Sequence, residues 1–192
     1  MRIFNTQVYG LRESLIRSGY PMSTEIPDMM EAIAQADWVN VNDRASRLGQ
    51  STPGSGHDCF LKGIRVQCDI EAPSYWWPQF QRYHFADIIS SQSKMHRITK
   101  FDISSQCTED VHPMAIALAE DHIAKYIRGE ITIDQMMANI PMGLQLTAGI
   151  DLSYLQIKTM CRQRDAHRLE MWRIFKAWAN TLPMARMLGV VV

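Results

Sequence analysis

The chain reads as a mixed α/β (α+β) fold in which a small sheet packs with several helices, forming a single domain over residues 1–192. Three observations predict it. Short stretches alternate apolar and polar residues with the period of a half-buried strand, while longer ones repeat apolar residues at helical spacing and end at Gly or Pro. No linker, internal repeat or low-complexity tract divides the sequence, and 192 residues with 46% hydrophobic and 21% charged content suffice for one sizeable core.

Taken in order, RIFNTQVY (2–9) alternates loosely before Gly10 and predicts an opening strand, and LRESLIRSG predicts an amphipathic helix ending at Gly19. Tyr20-Pro21 breaks the chain. TEIPDMMEAIAQADWVNVNDRASRLGQ predicts helix from about Pro27, with Met30, Ile33 and Ala34 on one face and a weaker second half from Asn42 to Leu48. The run Gln50-Ser51-Thr52-Pro53-Gly54-Ser55-Gly56 is the most loop-like part of the chain. A half-buried strand is expected from Phe60 to Ile70, stopped by Pro73, which then opens a helix PSYWWPQFQRYHFADII on Trp76, Phe80, Tyr83 and Ile88. HPMAIALAEDHIAKYIRG predicts a helix closed by Gly129, and ITIDQMMANIP a short one opened at Thr132 or Asp134. LQLTAGIDL reads as a further strand. Helices SYLQIKTMCRQR and HRLEMWRIFKAWANTL complete the chain, the second with Leu169, Trp172, Phe175 and Ala179 on one face.

Twenty basic and twenty acidic residues cancel, so no global field draws the protein to a nucleic acid polymer or an anionic membrane. Local groups must meet any phosphate. No stretch approaches the roughly 20 apolar residues of a membrane span, and MRIFNTQVYG lacks a signal-like apolar run, so a soluble, cytoplasmic protein is expected. Cys59, Cys68, Cys107 and Cys161 lack the spacing of a disulfide framework or zinc ribbon, which predicts reduced, mostly buried thiols. With His57, His84, His96 and His112 they complete no familiar tetrahedral set, and no metal is expected.

The densest polar constellation runs from His57-Asp58 through Arg82 and His84 to Ser90, Ser91, Gln92, Ser93, Lys94, His96 and Arg97. Guanidinium and ammonium groups beside short hydroxyls suit a phosphate or another small anion. The competing reading is a set of solvated charges on loops at element ends. For Arg82 the alternatives are a ligand contact or a structural salt bridge, and for His57 a cofactor contact or a strand cap. Tyr75, Trp76 and Trp77 could stack on a flat ring, although packing at a subunit interface is preferred. Arg162 and Arg164 flank a helix end, where cations also complement the helix dipole.

A histidine before a strand, then a helix ending at Arg82-Tyr83-His84, then SSQSKMHR, resembles the nucleotide- and flavin-binding core of the flavin-dependent thymidylate synthases. That family has Arg-His-Arg where this chain has Arg82-Tyr83-His84. Its following acidic-or-Gln, Ser and Arg positions fall on Ser90, Gln92 and Lys94 without a gap, or place Arg97 at the arginine after a three-residue insertion. Near the C-terminus, LQLTAGIDLSYLQIKTMCRQRDAHRLEMWRIF has the family's strand, helix and helix layout, with Arg164 where the nucleotide-binding arginine would sit. The family's Asn-Ala-Arg at the strand-helix junction is replaced by residues around Asp151, Leu152 and Ser153.

The resemblance implies a homotetrameric fold in which FAD and dUMP meet at subunit interfaces and folate supplies a one-carbon unit for C5 of the pyrimidine. It assigns His57, Arg82 and His84 to the cofactor. Ser90, Ser91, Gln92, Ser93, Lys94, Arg97 and Arg164 fall to the nucleotide. Reduced flavin carries the hydride in such enzymes, so no protein nucleophile is implied. A second functional expectation is a non-catalytic nucleotide-binding or scaffolding protein that keeps the fold without flavin chemistry. His84 in place of a permanent guanidinium points toward it, because imidazole is mostly neutral at pH 7 and offers fewer donors.

Overall fold

The computed structural model describes residues 1–52 and 54–189; Pro53 of the Gly/Ser loop lies outside the described residues, as do residues 190–192. Strand β1 (Arg2–Tyr9) is followed by α1 (Leu11–Arg17), as the alternation and the amphipathic repeat predict. Gly10 joins them at φ +68°, and a Cβ there would stand 2.6 Å from the Gly63 carbonyl oxygen, so only glycine fits. The predicted helix after Pro27 is two helices, α2 (Met29–Gln35) and α3 (Trp38–Gly49). Asp28 and Asp37 each accept two backbone N–H groups at the start of one of them, so the second aspartate opens a new helix where the apolar pattern alone suggested continuity.

The strand expected from Phe60 begins later. Cys59–Gly63 forms a 3-10 turn that buries Leu61, and β2 runs from Arg65 to Pro73 with Val66, Cys68, Ile70 and Ala72 facing the core. The long helix expected after Pro73 is corrected more strongly. Only α4 (Trp77–Phe80) is helical, with Pro78 in its first turn as that residue requires, and Ala86–Ser91 forms β3. Trp76, Phe80 and Tyr83 do share the apolar spacing, but the β-branched pair Ile88-Ile89 lies beyond the turn in strand, Ile88 paired with Ile150 and Ile89 at an irregularity of the register. Helices α5 (Lys94–Arg97), α6 (Ile103–Gln106), α7 (Pro113–Ile127) and α8 (Ile133–Met137) follow, the last opened by a Thr132–Gln135 capping box. They enclose a second small core around Ile98, Ile103, Ile123, Met136 and Leu144. The chain then returns through β4 (Gln145–Ser153), α9 (Tyr154–Gln163) and α10 (Glu170–Ala179).

The four strands are antiparallel in the order β1-β2-β4-β3. Alternation gives the sheet one apolar and one polar face. On the polar face Arg65 holds Asp151 through two hydrogen bonds, and Asn5 donates to Asp69 at 2.6 Å. On the other face, Trp76, Phe80, Tyr154, Ile157, Trp172 and Phe175 join the sheet residues in the main core. Trp76 stacks on Phe80 and meets both Trp77 and Trp172 with centroids 5.1 Å apart. Trp76 and Trp77 are therefore core residues of their own chain, which corrects the expectation of interface packing for them. Among the described residues no helix is long and apolar enough to cross a membrane.

Candidate functional site

Helix α9 leaves the end of β4 with Ser153 as its N-cap, and its Leu155, Gln156, Thr159, Arg162 and Gln163 line one side of a groove, Gln156 as a buried member. The groove is a series of three depressions that share walls. The largest, about 500 Å³, lies between α9 and the Gly54–Lys62 segment. A second is lined by Lys62, Arg65, Phe85 and Gln156, and a third of about 370 Å³ by Arg82, Tyr83, His84, Gln163 and Arg164. The structure thus brings Arg82, His84 and Arg164 to one place, although 81 residues separate Tyr83 from Arg164.

Charge is concentrated here in a chain with no net charge. Lys62, Arg82, Arg162 and Arg164 border the groove without an acidic partner among the described residues, while Asp58 and Asp151 are engaged by Lys158 and Arg65. The arrangement suits a ligand carrying phosphate, because guanidinium groups offer forked donors and retain their charge at any working pH. Arg164 is held in place. Its Nε donates to the Tyr83 hydroxyl at 2.9 Å, and its guanidinium lies 4.8 Å from the Trp172 ring centroid and 5.6 Å from that of Tyr83. Neighbouring His167 accepts the Leu169 N–H through Nδ1, and partial burial together with the Arg164 charge lowers its pKa.

The floor of the largest depression holds a group that the constellation reading missed. Lys158, 2% exposed, donates to Asp58, 6% exposed, at 2.6 Å and to the Ser51 carbonyl oxygen at 3.0 Å. A signal was available: Tyr154, Ile157, Lys158 and Cys161 follow the i, i+3, i+4, i+7 pattern, which places a lysine on the buried face of α9. His57 is exposed between Gly56 and Asp58, two residues that border this depression.

The remaining expected ligands stand elsewhere in the chain. The six residues of β3 span about 20 Å and separate His84 from Gln92. Ser91, Gln92 and Lys94 line a different depression with Trp77, Gln81 and the Leu146–Ala148 stretch of β4. Gln92 already extends the ladder, its amide N–H donating to Thr147 and its side-chain oxygen accepting from the Thr147 N–H, both at 2.9 Å. Ser93 caps α5, Ser90 sits opposite Gly149 on the edge strand, and Arg97 is exposed at the end of α5. Among the described residues no three His, Cys, Asp or Glu side chains converge as a metal site. Cys59 is exposed at the mouth of the large depression, while Cys68, Cys107 and Cys161 are buried free thiols.

By sequence the chain matches no protein-family model and no curated protein. Its architecture is nevertheless that of the flavin-dependent thymidylate synthases. The flavin-dependent thymidylate synthase of Helicobacter pylori, complexed with FAD and dUMP, superposes with a TM-score of 0.75 in two structures, at 11% and 13% identity. These alignments cover 99% of this chain and 98% or 97% of that one. The UMP/dUMP methylase PolB of Streptomyces cacaoi, bound with 5-Br dUMP, has a TM-score of 0.66 at 10% identity over 97% of this chain and 92% of its own. At such identities the likeness is one of fold, and function rests on the site.

Proposed function

We propose that the groove along α9 binds a pyrimidine deoxynucleotide together with FAD, and that the protein transfers a one-carbon unit from a folate donor to C5 of a dUMP-like substrate. The observation that carries this reading is the convergence of Arg82, His84 and Arg164 on one depression that continues past Lys62 to Arg162. These donors fit the phosphates of both a mononucleotide and a dinucleotide cofactor, and Lys62, Arg82, Arg162 and Arg164 are cations without an acidic partner among the described residues of a neutral chain. FAD, when bound, supplies the redox chemistry. The residues of this chain orient and neutralise: Arg82 and Arg164 hold phosphate, His84 and Gln163 donate hydrogen bonds beside them, and Gln156 with the half-buried Leu155 borders the intervening wall.

The second depression, with Ser91, Gln92 and Lys94, belongs to the same proposal through oligomerisation. Strand β3 pairs with β4 on one side and among the described residues is open on the other, and Phe85, Ile89 and Met95 are exposed around it. A homotetramer would cover these side chains and bring the depression of one subunit to the groove of another. The altered triplet supports a second reading, a nucleotide-binding protein without flavin chemistry, because Tyr83 is committed to Trp172 and Arg164 instead of to a ligand.

The test begins with the purified protein and added FAD. Bound flavin seen by its absorption, dUMP binding by calorimetry, and a C5-methylated product with reduced flavin and methylene-tetrahydrofolate are expected. Binding of dUMP with no affinity for FAD would establish the second reading, and binding of neither would overturn both.

A further inference from the structure

Lys158 and Asp58 form the one ion pair among the described residues in which both side chains are nearly inaccessible, and nothing in the proposed chemistry uses them. A buried pair of this kind is weak evidence for stability, because desolvation offsets the attraction. Its position suggests a different purpose. The Lys158 Nζ contacts the Ser51 carbonyl oxygen at 3.0 Å and the Asp58 carboxylate at 2.6 Å, so one ammonium on α9 touches both ends of the loop between them. The backbone also ties the two ends locally, Ser51 N–H to the Leu48 oxygen and Leu61 N–H to the Asp58 oxygen, while among the described residues between them the hydrogen bonds are internal: Ser55 N–H to the Thr52 oxygen, the Ser55 hydroxyl to Ser51, and Cys59 N–H to the Gly56 oxygen. Gly54 and Gly56 have φ of +84° and +81°, and the positions of their missing Cβ atoms have no neighbour within 4 Å. The same Gly54, Gly56, Asp58 and Lys158 line the largest depression of the groove.

We infer that Lys158 is a positioning residue: its ammonium staples Ser51 and Asp58 to α9 and so fixes the Gly54–Lys62 wall against which the phosphate-bearing ligand of the groove is held. The inference deepens the proposed function and rests on it for the identity of the ligand. Asp58 is a suitable partner because its carboxylate makes no capping hydrogen bond to the turn that follows it and is free to serve the staple alone. Bound to both loop ends, the ammonium also removes a cation from the groove surface, leaving Lys62 and Arg162 as the charged groups that meet the ligand there.

The deciding variant is the double substitution Lys158→Met with Asp58→Leu, since replacing both members of a buried pair by apolar residues is often neutral for stability, whereas removing one leaves a buried charge. With the parent as reference, hydrogen exchange of the loop amides, the unfolding midpoint, and FAD and dUMP affinities are measured. The expected result is a midpoint within about 3 °C of the parent, exchange across the Ser51–Cys59 amides faster by about tenfold or more, and affinity lower by about tenfold. Unchanged loop exchange in the folded double variant overturns the staple, as does parental affinity with a loosened loop. If the parent binds neither FAD nor dUMP, the proposed function fails, while loop exchange still reports whether the staple exists. Lys158→Met alone should lower the midpoint more than the double variant does; the opposite order also overturns the inference.

Discussion

Replacing Arg164 by Ala perturbs two things at once, and the geometry separates them. The variant loses a 2.9 Å hydrogen bond to the Tyr83 hydroxyl and the stacking of a guanidinium 4.8 Å above Trp172 and 5.6 Å above Tyr83. A hydrogen bond of this kind contributes about 1 kcal/mol and each cation–π contact about 0.5–1 kcal/mol. Their plain sum, about 2–3 kcal/mol, is an upper bound, because two of the three contacts share Tyr83 and such neighbours are not additive. For a chain of 192 residues that bound corresponds to an unfolding midpoint lower by roughly 4–12 °C. Losing a charged donor to phosphate removes about 1.5–3 kcal/mol of binding, or roughly 10–150-fold in Kd.

The assays are thermal unfolding followed by circular dichroism and nucleotide titration by calorimetry. Tyr83→Phe is the companion variant, since it deletes the hydroxyl and keeps the ring. It should cost about 1 kcal/mol and weaken binding less than Arg164→Ala, because the guanidinium stays but loses one of its anchors. A lowered midpoint with unchanged affinity would return Arg164 to a purely structural role. Unchanged values of both would refute the geometric argument.

Arg82→Ala should weaken nucleotide binding about tenfold with an unfolding midpoint within about 1 °C of the parent, because its exposed side chain makes no hydrogen bond or ion pair among the described residues. His167 has a lowered pKa, so its neutral form is favoured by folding; the stability it contributes is present above the ordinary imidazole pKa and is lost as the pH falls through the lowered value. The midpoint of the parent should therefore drop more on acidification below neutrality than that of His167→Asn, which keeps a hydrogen-bond acceptor that does not titrate; parallel curves would refute the assignment. Cys68 and Cys161 are pushed up to about 12 by burial, so brief iodoacetamide treatment of the native protein should alkylate Cys59 first, as read by peptide mass spectrometry, and should hinder ligand binding at the mouth of the groove.

Much of this fold was legible in the sequence because its periodic segments are strong. Arg2–Tyr9 and Gln145–Ser153 emerge as strands, and Pro113–Ile127 and Glu170–Ala179 as helices, close to where alternation and apolar spacing place them. The failures are local competitions. Phe60 opens the expected strand but lies in a 3-10 turn, in which its neighbour Leu61 is the residue buried in the core. Ile88 continues a helical count from Trp76 only because two periods coincide there; after Phe80 the chain turns back and pairs with β4. The site was partly legible for a related reason. Arg82 and Arg164 carry visible charge at element ends, whereas Lys158 acts through burial, and a lysine buried by its partners looks from composition like any solvated one.

Tyr83 explains how an altered motif keeps its scaffold. In Arg82-Tyr83-His84 the outer residues are exposed and line the groove, while the middle one is half-buried with its ring 6.1 Å from Trp172. A tyrosine suits that place, since its ring packs on the core and its hydroxyl reaches out to Arg164. The two regions of the chain that resemble the thymidylate synthases are thereby joined through one side chain. Exchanging His84 for Arg would add a permanent charge to a depression that already holds Arg82 and Arg164 without disturbing Tyr83 or its anchor. His84→Arg should therefore raise affinity for a phosphate-bearing ligand, most clearly at low ionic strength, where the added charge is least screened. Calorimetric titration with dUMP and FAD checks it: a gain for FAD would place the third position of the triplet against the flavin, and a loss for both would show that the depression does not accept a third guanidinium there.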